Sequence, residues 1–209
     1  MYFRTPSLLS WLYPGLIWKI PTDKKHVYLT FDDGPMPGPT EFVLESLDRH
    51  HAKATFFCIG DNVKKHPKQY QQIQGQGHAI GNHTFNHLNG WRTQDADYLT
   101  NIQKCAEVTE RTTLFRPPFG KIRRSQIRRL KDYRIIMWDV LTYDYSAGMS
   151  PKRCLSGSMA ATRPGSIVVF HDSLKAERNL TAVLPEYLKR LSAQGFEFKA
   201  LSEGLFANR

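Results

Sequence analysis

The sequence predicts an α/β fold in which parallel strands are joined by crossover helices. Seven short apolar runs recur along the chain, and segments of helical spacing stand between them. The chemistry-bearing polar residues follow directly on the apolar runs, at the strand ends where parallel α/β folds carry their sites. This alternation suits either an open doubly wound sheet or a closed, irregular barrel.

Strand character covers 27–31, 54–59, 78–81, 113–116, 134–140, 166–171 and 196–200. Helical spacing covers 40–50, 67–75, 94–110, 125–132, 151–162 and 179–194. The first of these helices starts at Thr40, whose hydroxyl suits an N-cap, and aligns Val43, Leu44 and Leu47. The third aligns Leu99, Ile102 and Ala106, while Gly75, Gly77 and Gly195 punctuate helix ends. No repeat or linker divides the 209 residues, a length that suits one domain.

An apolar content of 41% with 12 Phe, 9 Tyr and 4 Trp excludes disorder, and no apolar run reaches bilayer length. Near the start, Leu8-Leu9-Ser10-Trp11-Leu12 and Leu16-Ile17-Trp18 are apolar. Pro6 and Pro14 interrupt them and no small-x-small cleavage site precedes Lys19, which argues against a signal peptide. The segment reads as packing on the fold in preference to lying on a membrane. A net charge of +10 raises nucleic acid as a partner, but no recognition motif accompanies it. The densest basic patch, Lys121-Ile122-Arg123-Arg124 with Arg128, Arg129 and Lys131, has the spacing of a solvated helix face. Cys58, Cys105 and Cys154 are odd in number and form no Cys-x-x-Cys pair, which favours a reducing compartment; Cys58 reads as a core residue.

Thr30-Phe31-Asp32-Asp33-Gly34-Pro35 ends the first strand in a turn. Side chains alternate along an extended backbone, so Asp32 and Asp33 should meet different surroundings. One could hold a cation while the other takes a proton from water. His83 and His87 stand four residues apart, as on one face of a helical turn, and with Asp33 supply two nitrogens and a carboxylate for one metal. His26, His50, His51, His66 and His78 lack such partners and read as surface or packing residues. Arg116, before Pro117-Pro118-Phe119-Gly120, could grip Asp32 in a fork and keep it ionised. His171 ends an apolar strand, where a carboxylate on one ring nitrogen would leave the other free to donate a proton; Asp144, Asp139 and Asp172 are all candidates.

Taken together, these motifs resemble the polysaccharide deacetylase, or NodB-homology, family of carbohydrate esterases. Thr30-Phe31-Asp32-Asp33-Gly34-Pro35, His83-Thr84-x-x-His87, Arg116-Pro117-Pro118-Phe119-Gly120, the segment ending in Asp144 and the Val-Phe-His171 segment follow the family's order. The resemblance implies a distorted (β/α) barrel with about seven strands, residues 1–25 being an added extension and 26–209 the catalytic domain. It implies one divalent metal, zinc with cobalt or nickel as alternatives, on residues matching Asp33, His83 and His87. It further implies Asp32 as base, Arg116 as its orienting partner, His171 as acid and Asp144 as the residue tuning that acid. The fourth motif departs from the family: Leu141 and Tyr145 stand where an Asp and a Trp are expected, and Phe119 replaces a frequent Tyr. The expected activity is removal of N-acetyl groups from a glycan or amino sugar. An O-acetyl esterase, a small-amide hydrolase and an inactive glycan-binding protein are the alternatives. The expected location is cytoplasmic or at the inner membrane, with the cell envelope as the alternative.

Overall fold

The computed structural model describes residues 2–109 and 112–206, so Met1, Glu110 and Arg209, termini of expected segments, lie outside the described residues. After a short helix α1 (Ser7–Leu12), strand β1 (His26–Asp32) leads into α2 (Pro39–Asp48) and β2 (Ala54–Cys58). Helices α3 (Gly60–Lys65) and α4 (Pro67–Gly75) precede β3 (Ala79–Asn82), and α5 (Asp95–Ala106) precedes β4 (Leu114–Phe115). Then come α6 (Arg124–Arg129), β5 (Arg134–Ile135), β6 (Val140–Leu141), α7 (Pro151–Ala161), β7 (Ile167–His171), α8 (Glu177–Ala193) and β8 (Glu197–Phe198).

The strands pair in parallel in the order β5-β4-β3-β2-β1-β7-β6, a curled half-barrel, with β8 paired to the start of β1. Strand β1 is central and buried from Val27 to Asp32, which is why it and its neighbours read as continuous apolar runs. Its alternate side chains serve two layers. Leu29 and Phe31 pack outward with Val43, Leu44 and Leu47 of α2 and with Leu180, Leu184 and Tyr187 of α8. Tyr28 packs inward with Phe57, Leu114, Ile136 and Ile167. Thr30 and Asp32 continue that inward row toward the C-terminal rim.

Several expectations need correcting. The run 134–140 is two strands, β5 and β6, because the chain between them leaves the sheet: Ile136 bridges to Ile17 and Asp139 turns to Arg4 and Ser166. Thr40 is not the cap of α2. Gly38 holds that place, and Thr40 lies inside the helix with its hydroxyl on Asp172. Helices α1 and α3 lacked a periodic signal, being only six residues each. His78, read as a surface or packing residue, does pack: it is buried, its Nδ1 accepts the Ala54 N–H at 3.2 Å, and burial pushes its pKa down to about 4.

The N-terminal segment fills the wall that the sheet leaves open between β5 and β6. Ile17 exchanges backbone hydrogen bonds with Ile135 and Met137, and Ile20 donates to the Gly165 carbonyl at 2.9 Å. Leu16, Ile17 and Ile20 are buried, whereas α1 buries none of its residues. Gly165, at φ +81°, turns against this segment, and a side chain there would overlap the carbonyl of Ile20. Gly165→Ala is therefore expected to lower unfolding free energy by about 2–4 kcal/mol in urea titrations. Gly15→Ala, where a methyl meets open space, should shift it by less than about 0.5 kcal/mol.

Candidate active site

The C-terminal ends of β1, β3, β4, β6 and β7 carry Asp32, His83, Arg116, Asp144 and His171, or lead within a few residues to them. Register brings the ends together: Asp32 stands beside His171 across β1–β7, and Asn82 beside Phe115 across β3–β4. Asp32, Asp33, His83, His87 and His171 all line one cleft of about 560 Å³.

Asp33 does not obey strand alternation. Its φ of +82° takes it out of the extended backbone and returns its side chain to the cleft that Asp32 faces. The turn is held from below. Asp172 accepts the Gly34 N–H at 3.1 Å and the Thr40 hydroxyl at 2.6 Å, and Asn62 donates to the Asp33 carbonyl at 2.7 Å. Burial pushes the Asp172 carboxyl up to about 8.

His83 and His87 do not lie on a helical turn, contrary to expectation. The segment is irregular, with Thr84 at φ +62° and His87 at φ +55°. Asn101 of α5 fixes it by accepting the N–H groups of Phe85 and Asn86 at 2.8 and 3.0 Å. His83 donates its Nδ1–H to the Arg116 carbonyl at 2.8 Å, which leaves the Nε2 lone pair free. Burial holds the His83 ring at about 4, neutral at pH 7 as a ligand must be. The His83 and His87 Nε2 atoms stand 3.7 and 3.2 Å from Asp33 Oδ1. Ligand atoms sharing one tetrahedral ion at about 2.1 Å are roughly 3.4 Å apart, so this donor set fits a divalent cation. Burial favours the protonated Asp33, but the His87 hydrogen bond and the imidazoles of His171, His83 and His87 outweigh it and lower its pKa.

Arg116 is fully buried and stacks 4.1 Å over Phe57. It grips Asp32 with one prong: Nη1 donates to Asp32 Oδ1 at 2.6 Å and to Thr30 Oγ1 at 2.7 Å. Nε and Nη2 serve the carbonyls of Ile136 and Met137, so the expected fork is not made. After the following prolines Phe119 sits at φ +60°, and the turn's two backbone hydrogen bonds use Gly120 and Lys121 N–H, not its own. Gly120, at φ +65°, lets the turn press on Trp138.

Of the three carboxylates considered for His171, Asp144 is the partner. Its two oxygens accept the His171 Nδ1–H at 2.7 Å and backbone N–H at 2.8 Å. Asp139 instead takes Arg4 and Ser166, and Asp172 the Gly34 turn. Leu141 and Tyr145 line the cleft with Trp138, and the Tyr145 ring stands edge-on to His171 at 4.8 Å. Asn62 and Asn101 were missed in the sequence, since a polar residue that binds neighbouring backbone leaves no spacing pattern, and Asp172 was weighed only as a partner of His171, not as the support of the Gly34 turn.

A curled parallel half-barrel with this rim is shared with solved carbohydrate deacetylases. The chain belongs to the polysaccharide deacetylase family, whose model matches residues 19–138. It is 32% identical to a Bacillus cereus peptidoglycan-N-acetylglucosamine deacetylase over 194 residues, 89% of this chain and 91% of the relative. A chitooligosaccharide deacetylase of Azorhizobium caulinodans is 33% identical over 90% of this chain and 98% of its own. Among solved structures, a peptidoglycan N-acetylglucosamine deacetylase in complex with 4-naphthalen-1-yl-N-oxidanyl-benzamide superposes with a TM-score of 0.87 at 30% identity, covering 94% of this chain and 95% of that one.

Burial lowers the His171 pKa, but Asp144, with lesser help from Asp33 and Asp32, outweighs it and raises the ring to about 9. An NMR titration of the metal-free protein should give a His171 midpoint near 9, and Asp144→Asn should bring it below about 7. Because the folded value is raised, the pair's stabilisation is full below about pH 6.5 and fades as pH rises through 9.

Proposed function

We propose that the protein hydrolyses N-acetyl groups on a glycan or amino sugar, with one divalent cation, zinc for preference, held by Asp33, His83 and His87. The observation that carries this reading is the position of Asp32 and His171 in one cleft with those donors, each tied to its own charged partner. An N-hydroxy amide is a chelating group, so the ligand bound by the solved relative also supports a cation here. When bound, such a cation supplies Lewis acidity, which polarises an amide carbonyl and acidifies water.

The chain's own groups supply the rest. Arg116 fixes Asp32 Oδ1, leaving the other carboxylate oxygen to take a proton from the attacking water. The Phe119 N–H is a donor for the oxygen that becomes negative as the carbonyl carbon turns tetrahedral. Asp144 anchors His171 through Nδ1, leaving Nε2–H to protonate the departing nitrogen as the C–N bond breaks. Acetate and a free amine result. Peptidoglycan and chitin-type oligosaccharides are the substrates of choice, as the relatives' names suggest.

Acetate release from N-acetylglucosamine oligomers and from peptidoglycan tests this, with acetylated xylan as the ester comparison. Activity on the amides should vanish with chelator and return with zinc. Asp32→Asn should lower kcat by about 10²–10⁴-fold with little change in KM. His171→Gln should depress amide cleavage in that same range but spare an activated acetate ester, whose leaving group departs unprotonated. Release from xylan alone would move the assignment to an O-acetyl esterase.

A further inference from the structure

Eight large apolar side chains are exposed among the described residues, and they are concentrated. Tyr2, Leu8, Leu9, Trp11 and Leu12 come from the N-terminal segment, Trp91 and Phe119 from rim loops, and only Leu174 stands elsewhere. Tyr2, Leu9, Trp91 and Phe119 line a single open groove of about 510 Å³, walled further by Trp18 and Trp138. Leu8, Trp11 and Leu12 share α1 with Leu9, and Trp11 is 75% exposed. Isolated exposed apolar residues are ordinary, but a contiguous patch marks an interaction surface.

Charge selects the partner. Among the described residues Arg4 is the one charged side chain lining the groove, and it is paired with Asp139 at 3.2 Å just outside the lining, which includes no carboxylate. Two basic residues stand at its aromatic edge, Arg124 5.5 Å from the Tyr13 ring and Lys121 5.4 Å from Trp91, while Arg123 beside them donates to the Trp91 carbonyl at 2.7 Å and pairs with Asp95 at 3.6 Å. Leu and Trp side chains at the centre with Arg and Lys around them match the layers of a bilayer surface, acyl chain below and anionic headgroup above. A second copy is a poor fit, because each chain carries +10. No helix among the described residues is long and apolar enough to cross a membrane.

We propose that this face docks on a bilayer containing anionic phospholipid, with α1 lying in the interface. The packing expected of the N-terminal segment then belongs to Leu16–Ile20, and α1 has a different task. The groove shares Phe119, Trp138 and Leu141 with the catalytic cleft, so docking would hold the mouth of that cleft against the membrane surface.

Co-sedimentation of the full chain with vesicles of phosphatidylcholine, alone or mixed with phosphatidylglycerol, tests the proposal without reference to catalysis. Binding to the phosphatidylglycerol vesicles is expected, weakening as sodium chloride is raised. A Trp11→Ala/Leu12→Ala variant should bind at least about tenfold more weakly, with unchanged thermal unfolding, since both side chains are exposed. No binding to anionic vesicles, or binding that the double variant leaves intact, would overturn it. So would a dimer in vesicle-free solution that the same variant dissolves.

Discussion

The buried guanidinium of Arg116 is the constraint on which the rim depends. Its donors reach Asp32 and Thr30 on β1 and the carbonyls of Ile136 and Met137 beyond β5, while its plane lies on Phe57 of β2. One side chain thus ties three other stretches of chain to its own at the point where the half-barrel is least complete. Removing one partner of a buried pair typically costs about 3–5 kcal/mol, so neither charge is dispensable once the other is there. The carbonyl of the same residue orients His83. Asp32, the proposed base, and the His83 imidazole are therefore positioned by one amino acid acting through both its side chain and its backbone.

Around that anchor the backbone is strained. Asp33, Thr84, His87, Phe119 and Tyr143 hold left-handed φ values without being glycine, and each belongs to a loop at the strand ends. Such conformations cost of order 1–3 kcal/mol apiece and persist where surroundings over-determine them. The surroundings here are specific: Asp172 and Asn62 hold the Asp33 turn, and Asn82 and Asn101 hold the loop between the histidines. The strain converts neighbours in sequence into partners in one cleft.

This explains what could and could not be read from the chain. Apolar runs gave the strands because a sheet covered on both faces needs them, and the Asp, His and Arg residues that carry chemistry lie next to those runs. Asp144 could not be told from Asp139 and Asp172 by spacing, since that choice rests on a left-handed turn at Tyr143 and on pairing between β6 and β7. Alternation misled at Asp33, and helical spacing misled at His83 and His87, for the same reason: both assume regular backbone where the site has none. The break within 134–140 was hidden because Ile136 and Met137 stay buried against the N-terminal segment, keeping the run apolar.

The proposed chemistry centres on one cation held by Asp33, His83 and His87 beside Asp32. X-ray absorption at the zinc edge of the stoichiometrically loaded protein tests that ligand set most directly. Two imidazole nitrogens and carboxylate oxygen at about 2.0–2.2 Å are predicted, with one imidazole lost in His83→Ala. Failure to bind one zinc per chain, or sulfur at about 2.3 Å from a cysteine, would contradict it.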